Sequence, residues 1–547
     1  MRAALMMRIC RNLGIVLFAA CALTVRADEA TGPTRDVVSA TMQRATQFML
    51  DKVAYKGGYV WSYLPDMSRR WGEMEAYPTM IWMQPPGTGT MGHLYLDAYH
   101  ATGEDFYYEA AAQVADALMR AQLPSGGWNY MADFAGEASL RRWYDTIGKN
   151  GWRLEEFLHY YGNTTFDDEG TSEASQFLLR MYLERREAKY LVAVDKAVKL
   201  VLDSQYPNGG WPQRWPRPEQ AFVYKGKPDY TGFITLNDSV AEENIKFLIM
   251  VYQTLGDDRV YERILRAMNI FRVLQQPQPQ PGWSMQYTPV DLKPVGARSY
   301  EPDSLTTHTT ARVVEKLMDF YTLTGDTKFL ERIPEALDWL DSFKLPPEQQ
   351  RPTRTHPTFI ELGTNRPLFV HRRGSNVVNG EYYVDYNGDG TISHYGAFRK
   401  LDVAALRERY TKLKATPPAE ASKLSPLRMM GVELPRYFSL GEIAVSDLNT
   451  GRFGGDGPVS PARAASLLAS LNAEGYWPTP LKATSHPYKG DGSATPTPGD
   501  YSQTRVGDDS DTSPYVDPKP VLGISTGGFI KNMGELIRYL EQQRATK

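Results

Sequence analysis

One repeated pattern constrains the fold of this 547-residue chain more than any other feature. Four segments run through glycine or proline and end in tryptophan, at Trp61, Trp128, Trp211 and Trp283. Each of the last three follows an amphipathic stretch whose apolar residues recur three and four positions apart, which predicts a helix. Glycine and proline after such a stretch are helix stop signals. A second helical stretch lies earlier in each unit and closes on an aromatic residue and a turn, so each unit is predicted to be a helical hairpin followed by a loop.

Helical hairpins repeated along a chain form either a closed ring or an open solenoid. We expect a mainly α fold, an α/α toroid (an incomplete α/α barrel) over residues 28–400, because a toroid needs no capping repeats. Residues 345–400 carry β-type runs, which predict some short β-strands in a loop-rich segment. Residues 401–547 are expected to form a loop-rich C-terminal extension. Its helical stretch at 523–543 is a candidate to pack against the first helix, near 36–51, and help close the toroid.

The first 27 residues predict export. They combine several arginines and no acid with an apolar run that is too short to span a bilayer comfortably. Cleavage near Ala27 would leave a secreted or periplasmic protein; a retained anchor helix and lipid attachment at Cys21 are the alternatives. Both cysteines of the chain, Cys10 and Cys21, lie in this segment. The mature chain would have no cysteine, which excludes disulfides, thiolate catalysis and cysteine-ligated zinc.

Composition excludes several other classes of protein. A formal net charge of -3 at pH 7 provides no basic field to hold nucleic acid. The hydrophobic fraction of 42% and the charged fraction of 23% are ordinary for a soluble globular protein. We therefore expect a monomer with no nucleic-acid partner and no membrane span. The aromatic content of 12% is compatible with sugar binding.

Acidic residues precede the first helix of three successive units. They are Asp167, Asp168 and Glu169 in the first, Asp238 after Asn237 in the second, and Glu301 and Asp303 in the third. A single such residue is often only a helix N-cap. Equivalent positions of a toroid lie at the same end of the ring, however, so these acidic side chains would cluster at that end. Clustered carboxylates there would either bind Ca²⁺ through oxygen ligands or serve as an acid/base pair.

Arginines occur close to the same loops. Arg298 precedes the third acidic loop, and Arg366, Arg372 and Arg373 follow in TNRPLFVHRRG. Such residues often make surface ion pairs, but a guanidinium also matches a carboxylate in a bidentate manner. Acids for a metal together with arginines for carboxylates would suit a polyuronic acid as substrate.

The segment DYNGDGTIS contains part of a calcium-binding pattern. Asp385, Asn387, Asp389 and Gly390 match the first half of an EF-hand loop. The twelfth position is Gly396 and not the bidentate glutamate, so a complete EF-hand is not supported. We expect either a partial Ca²⁺ loop, with Asp385, Asn387 and Asp389 as metal ligands, or a plain turn.

Two sequence blocks carry a family resemblance. QYPNGGWPQ at 205–213, followed by FITLNDSVAEENIKFL at 233–248, resembles the catalytic core of the family 10 polysaccharide lyases, the pectate lyases. A third block resembles that family's Ala-Arg-x-Tyr-Glu element, and TNRPLFVHRRG resembles its Asn-Arg-Pro-aliphatic-Phe element. The resemblance runs from about Asp167 to Arg373.

This resemblance implies an α/α toroid that cleaves polygalacturonate, or a related polyuronide, by Ca²⁺-assisted anti β-elimination. It also implies roles for individual residues. Arg298 would be the Brønsted base and Asp167 a second catalytic residue in the cleft; Asp238 would be a metal ligand; Arg366, Arg372, Trp211 and Asn237 would bind substrate. Because an arginine base must first lose its proton, we expect an alkaline pH optimum.

The chain also departs from the family pattern. The histidine that the family has after Trp-x-x-Gln is Tyr287 here, and residues 214–232 are longer than usual. These departures leave other functions open. One is an α/α-toroid glycoside hydrolase that uses Asp167 and Asp238 as its acid/base pair. Others are a non-catalytic polysaccharide-binding protein and, more remotely, a terpene-cyclase-like protein.

Overall fold

The computed structural model describes nine ranges of the chain. They are 32–148, 155–218, 223–224, 226–373, 381–392, 395–429, 431–439, 457–481 and 522–545, with the backbone alone described at 372, 373 and 545. The predicted export segment 1–27 lies outside these residues.

Helices and short strands alternate along the described chain. The helices are α1 (Arg35–Phe48), α2 (Thr88–Thr102), α3 (Asp105–Ala121), α4 (Glu137–Thr146), α5 (Gly170–Arg185), α6 (Ala188–Ser204), α7 (Val240–Leu255), α8 (Tyr261–Val273), α9 (Thr307–Thr324), α10 (Ile333–Ser342), α11 (Val403–Ala415), α12 (Pro418–Ala421), α13 (Pro461–Ser470) and α14 (Thr526–Ala545). The strands are β1 (Ser62–Tyr63), β2 (Arg70–Trp71), β3 (Glu75–Ala76), β4 (Met80–Trp82), β5 (Met131–Asp133), β6 (Thr164–Thr165), β7 (Arg214–Trp215), β8 (Val223–Tyr224), β9 (Lys227–Pro228), β10 (Ile234–Thr235), β11 (Gln286–Tyr287), β12 (Pro294–Val295), β13 (Ser304–Thr306), β14 (His356–Pro357), β15 (Phe359–Glu361), β16 (Pro367–Arg373), β17 (Glu381–Asp385), β18 (Phe398–Arg399), β19 (Thr479–Pro480) and β20 (Leu522–Ser525).

Consecutive helices pack as hairpins around one apolar core. The pairs are α2 with α3, α5 with α6, α7 with α8, and α9 with α10. The first helix of each pair faces the interior, and α2 and α5 are buried along most of their length. The second helix of each pair is amphipathic and has an exposed face. This arrangement confirms the predicted mainly α fold of the toroid type, with short strands in its loops.

The interior helices lie side by side in the order α14, α2, α5 and α7. Close packing of α2 on α5 requires a glycine, because a Cβ at Gly92 would lie 2.4 Å from the ring of Phe177. Helix α14 also packs against α1. The backbone carbonyl of Pro33 accepts hydrogen bonds from Tyr539 Oη at 3.2 Å and from Gln543 Nε2 at 3.0 Å. Helices α1 and α14, at the two ends of the described chain, therefore pack against each other as the helices of a hairpin do.

The repeated tryptophans bind free carbonyls at the C-terminal ends of the helices that precede them. The indole N–H groups of Trp128, Trp211, Trp283 and Trp477 donate to the carbonyls of Leu118, Val201, Phe271 and Leu467, at 2.7–2.9 Å. Each acceptor belongs to the last turn of its helix, where carbonyls have no partner within the helix. The glutamines of the same motif reach the next hairpin, as Gln205 Nε2 does in donating to the Arg263 carbonyl at 3.0 Å. The repeat is therefore a packing device.

The short strands bring the loops together at one end of the helices. Antiparallel pairs join β4 to β5, β6 to β7 and β10 to β11, and β13 heads a four-stranded sheet in the order β13-β15-β16-β17. Strands β4, β6, β10 and β13 each precede an interior helix. The C-terminal part contributes α13, Trp477 and α14 to the helical pattern; the sequence predicted the helix of α14 but not α13 and Trp477. No helix of the described ranges has the length and apolarity needed to cross a membrane.

Candidate active site

The same unusual turn occurs twice at the mouth of the interior helices. Residues Asp167–Glu169 follow β6 and enter α5, and Asn237–Ser239 follow β10 and enter α7. Asp168 has φ 50° and Asp238 has φ 49°, and the residue after each also has a positive φ. Two successive non-glycine residues in the left-handed region cost about 1–3 kcal/mol each. The two turns pack against each other, so the strained backbone aims both aspartates at one point.

Three aspartates converge there. One carboxylate oxygen from each of Asp167, Asp168 and Asp238 lies within 4.8 Å of the others. Asp167 is fully buried, and the other two are partly exposed. Burial, reinforced by the neighbouring carboxylates, raises the pKa of Asp168 and of Asp238 well above the ordinary value. This cluster is called the acid triad below.

The donor set of the acid triad could hold a metal ion. Asp167 Oδ1 is buried and has no hydrogen-bond partner among the described residues. Oxygen donors alone are what Ca²⁺ prefers, and several carboxylates in one place give it the charge it needs. Asp167, Asp168 and Asp238 are the residues that would hold the ion.

Arg298 lies against the acid triad and is 3% exposed. Its guanidinium approaches four carboxylates: Asp167 at 2.8 Å, Glu156 at 3.2 Å, Glu301 at 3.2 Å and Asp238 at 3.6 Å. Burial by itself would lower the pKa of Arg298, but the surrounding negative charges, first that of Glu156, raise it well above its ordinary value. The side chain is therefore held protonated by its surroundings.

The loop between β12 and β13 fixes the position of this arginine. Glu301 Oε2 accepts from the arginine's own backbone N–H at 3.0 Å, and Asp303 accepts from the Gly296 N–H at 2.6 Å. The carboxylate of Glu155 accepts from the backbone N–H and the hydroxyl of Ser299. Burial raises the pKa of Glu155 to about 7 despite these donors.

The third unit does not repeat the acidic turn. The prediction that Glu301 and Asp303 occupy the position of the first two acidic turns is wrong, because both lie before β13, which runs directly into α9. Glu301 contacts Arg298 and so belongs to the site, whereas Asp303 only stabilises the loop between β12 and β13.

Several further side chains orient the cluster, and the sequence analysis missed most of them. Tyr130 Oη donates to Asp167 Oδ2 at 2.6 Å, and Gln84 Nε2 donates to Asp168 Oδ2 at 2.7 Å. Asn237 Nδ2 donates to Asp238 Oδ2 at 2.6 Å and to Tyr395 Oη at 3.0 Å. Gln84 follows β4 just before α2, as the aspartates follow β6 and β10. That shared place in the repeat was the signal available for it.

Trp211 does not bind substrate through its side chain. It is 0% exposed, and its indole N–H donates to the Val201 carbonyl at 2.8 Å. The assignment of Trp211 to sugar binding is therefore corrected, because a ring without exposed surface cannot stack on a sugar. Its role is to complete the end of α6.

The later arginines lie on the sheet that follows β13. The Arg366 guanidinium lies 3.4 Å from the centre of the Tyr386 ring. Arg372 belongs to β16, opposite Tyr382 in β17, and its side chain is outside the described atoms. Contact of either arginine with substrate stays a prediction.

The segment at 385–390 forms a hydrogen-bonded turn. Asp385 Oδ1 accepts from the Asn387 N–H at 2.8 Å and lies 2.9 Å from His371 Nε2. Asn387 Oδ1 accepts from the Asp389 N–H at 3.1 Å. These side chains lie apart from the acid triad, and a Ca²⁺ site formed by Asp385, Asn387 and Asp389 stays a prediction.

The central part of the chain is similar to a known protein family. Residues 144–386 match the family model described as pectic acid lyase. Arg298 and the whole acid triad lie within this match. No curated protein matches the chain.

Solved structures give weaker similarities. An aspartate-to-alanine mutant of the family 10 polysaccharide lyase from Cellvibrio cellulosa, in complex with trigalacturonic acid, is 20% identical, with a TM-score of 0.35 over 51% of this chain and 86% of that chain. The family 10 polysaccharide lyase from the same organism is 18% identical, with a TM-score of 0.34 over 59% of this chain and 91% of that chain. An alpha-1,6-mannanase from Salegentibacter is 9% identical, with a TM-score of 0.36 over 92% of this chain and 98% of that chain.

Proposed function

We propose that this protein, whose residues 144–386 are similar to pectic acid lyases, is a secreted polysaccharide lyase. It would cleave polygalacturonate, or a related polyuronide, by Ca²⁺-assisted β-elimination. The observation that carries the proposal is the convergence of three aspartates and one arginine, with Arg298 Nη2 2.8 Å from Asp167 Oδ2. Export follows from the basic start of residues 1–27 and suits an enzyme whose polymeric substrate lies outside the cell.

The reaction needs a base at C5 of a uronate and a way to neutralise its carboxylate. The C5 proton passes to the base, a C4–C5 double bond forms, and the C4–O4 bond breaks, with the released oxygen taking a proton from solvent. Ca²⁺ held by the acid triad would polarise the uronate carboxylate and offset the negative charges around Arg298. In this proposal Arg298 receives the proton.

The carboxylates around Arg298 set the pH at which it can act. A guanidinium must lose a proton before it can accept one, and the surrounding charges raise its pKa well above the ordinary value. Alkaline pH therefore favours the reactive form, and activity should rise with pH.

Two neutral donors orient the carboxylates of the site. Tyr130 and Gln84 hold the carboxylates of Asp167 and Asp168 by hydrogen bonds. Such supporting donors fix the direction of metal ligands, and their loss weakens metal affinity by about 10–100-fold. Asp238 is partly exposed, so a polymer could reach it.

The glycosidase alternative fits this geometry less well. In a glycosidase, two carboxyl groups flank the scissile bond and act in separate roles. The carboxylate oxygens of Asp167 and Asp238 lie within 4.8 Å of each other and share Arg298 as a partner. Such crowding suits a shared cation better than two separate proton-transfer roles.

One assay tests the proposal. The mature protein is incubated with polygalacturonate and Ca²⁺ at alkaline pH, and the ultraviolet absorbance of the unsaturated product is followed, with EDTA as the control. We expect product with Ca²⁺, little with EDTA, and none from Arg298→Lys, which keeps the charge but not the base geometry. Absence of unsaturated product from every uronate polymer tested would contradict the lyase assignment.

A further inference from the structure

A cavity of about 430 Å³ lies beside the loop that carries Arg298. Its lining includes Phe233, Lys227, Ser299, Glu301, Tyr300 and Tyr382. Glu301 is common to the cavity and the candidate active site, because its carboxylate also contacts the Arg298 guanidinium at 3.2 Å. The acid triad itself does not line the cavity. The cavity therefore adjoins the Arg298 loop and is distinct from the acid triad.

Lys227 is the cationic side chain among the lining residues. It begins β9 in the short hairpin formed with β8. Its ammonium group lies 3.3 Å from the Glu301 carbonyl and 3.5 Å from the Arg298 carbonyl. Within the described part of the chain, no carboxylate lies within 4.0 Å of this ammonium. A partly buried ammonium has three donors, and neutral carbonyls leave its charge without a counter-ion.

The rest of the lining suits a sugar ring. Phe233 and Tyr382 contribute partly exposed aromatic rings, whereas Tyr300 is buried and the Ser299 hydroxyl is already bonded to Glu155. Ligand sites of this kind are concave, mostly apolar and fitted with a few polar groups, with volumes of about 300–1,000 Å³.

Two acids also line the cavity, but Glu301 is paired with Arg298 at 3.2 Å. Asp303 accepts from the Gly296 N–H at 2.6 Å. Aromatic surface beside an ammonium whose partners are neutral carbonyls matches a ring that carries one carboxylate.

We propose that this cavity is a subsite for a uronate residue that flanks the cleaved bond, with Lys227 pairing with its carboxylate. The proposal rests on the proposed function, since it names a contact to the same polymer. The hairpin that carries Lys227 belongs to the segment 214–232, which is longer here than the family pattern. The subsite is therefore a specificity feature of this chain, and it favours a polymer whose uronates are ionised.

Substitution of Lys227 separates binding from chemistry. Lys227→Met removes the charge and keeps the length of the side chain. We expect the KM for polygalacturonate to rise by about ten- to a hundredfold, the range typical of a lost charge-assisted hydrogen bond, with kcat changed by less than about twofold. Lys227→Arg should restore most of the lost KM.

The matched control is Lys293→Met. Lys293 lies close to the rim residue Val295 but is exposed and paired with Asp291 at 2.9 Å. Its loss removes one positive charge from the same region without reaching the cavity, so its kinetics should resemble those of the wild type. A KM increase of equal size in both variants would overturn the subsite, because general charge attraction would then explain it. A fall in kcat with unchanged KM for Lys227→Met would also overturn it, because the lysine would then only brace the Arg298 loop.

Binding without turnover separates this proposal from the proposed function. Native electrophoresis through gels that contain polygalacturonate measures retardation of each variant, with fully methyl-esterified pectin as the neutral comparison. We expect wild type and Lys293→Met to be retarded by polygalacturonate and Lys227→Met to be retarded much less. Equal retardation of all three overturns the subsite and leaves the lyase assignment standing. Retardation that depends on Lys227 without any unsaturated product supports the subsite and contradicts the lyase assignment. A wild type that is neither retarded nor active overturns both.

Discussion

Replacement of Arg298 by alanine should destabilise the protein and, at the same time, increase its response to Ca²⁺. Loss of one partner from a buried ion pair costs about 3–5 kcal/mol, because the remaining charge stays buried without compensation. Asp167 and Glu301 each retain one hydroxyl donor, Tyr130 at 2.6 Å and Tyr395 at 2.7 Å. We therefore expect a loss near the lower end of that range, about 3 kcal/mol in the free energy of unfolding.

Urea unfolding in EDTA and in excess Ca²⁺ measures both effects. A ligand at a hundred times its Kd stabilises the folded state by about 2.7 kcal/mol. Because Arg298→Ala removes the positive charge beside the acid triad, its stabilisation by Ca²⁺ should exceed that of the wild type. The control is Arg180→Ala, which removes a comparably buried arginine from its 2.8 Å pair with Asp97. That variant should lose similar stability in EDTA but respond to Ca²⁺ as the wild type does.

Two results would refute this reasoning. An unchanged free energy of unfolding for Arg298→Ala in EDTA would mean that the surrounding carboxylates do not depend on the arginine. Equal stabilisation of Arg298→Ala and Arg180→Ala by Ca²⁺ would mean that the ion does not bind at the acid triad.

Three further predictions concern single residues. Burial raises the pKa of Glu155 from 4.5 to about 7, so its contribution to stability is complete below pH 4.5 and is lost as the pH rises through about 7. Glu155→Gln should therefore flatten the fall in the thermal unfolding midpoint between these two pH values. An unchanged profile would mean that another group titrates there. Tyr130→Phe should weaken Ca²⁺ binding by about tenfold in calorimetry, since it removes a donor that orients Asp167; wild-type affinity would show that this donor is dispensable. Trp211→Phe should lower the free energy of unfolding by about 1–3 kcal/mol, because it removes a buried indole hydrogen bond and packing contacts. A higher KM for the polymer at unchanged stability would instead support a sugar-binding role for Trp211.

The helical architecture could be read from the sequence because it depends on local patterns. Apolar spacing and stop signals fix each helix, and repetition implies that successive units are equivalent in space. The same reasoning located two of the acidic turns, since Asp168 and Asp238 occupy equal positions before α5 and α7. It failed for Asp303, where a strand runs into the helix and no third turn forms.

Contacts between distant loops could not be predicted in this way. Glu156 pairs with Arg298 across 142 residues, and nothing in the repeat relates their segments. Trp211 was assigned to sugar binding because its aromatic chemistry is the same on a surface and in a core, and only burial distinguishes the two. The lengthened segment around Lys227 was visible in the sequence, but the cavity that it borders depends on how the hairpin folds back.

The pairing of α14 with α1 determines when this protein can finish folding. Thr526 Oγ1 donates to the Val60 carbonyl, a contact between residues 466 positions apart. Phe529, Ile530 and Met533 complete the core against residues that leave the ribosome hundreds of positions earlier. Synthesis proceeds at about 5–20 residues per second, so the apolar face of α2 stays uncovered for tens of seconds before its partner emerges. Chains that stop before α14 should expose that face and become targets of chaperones and proteases, which ties the supply of active protein to complete translation.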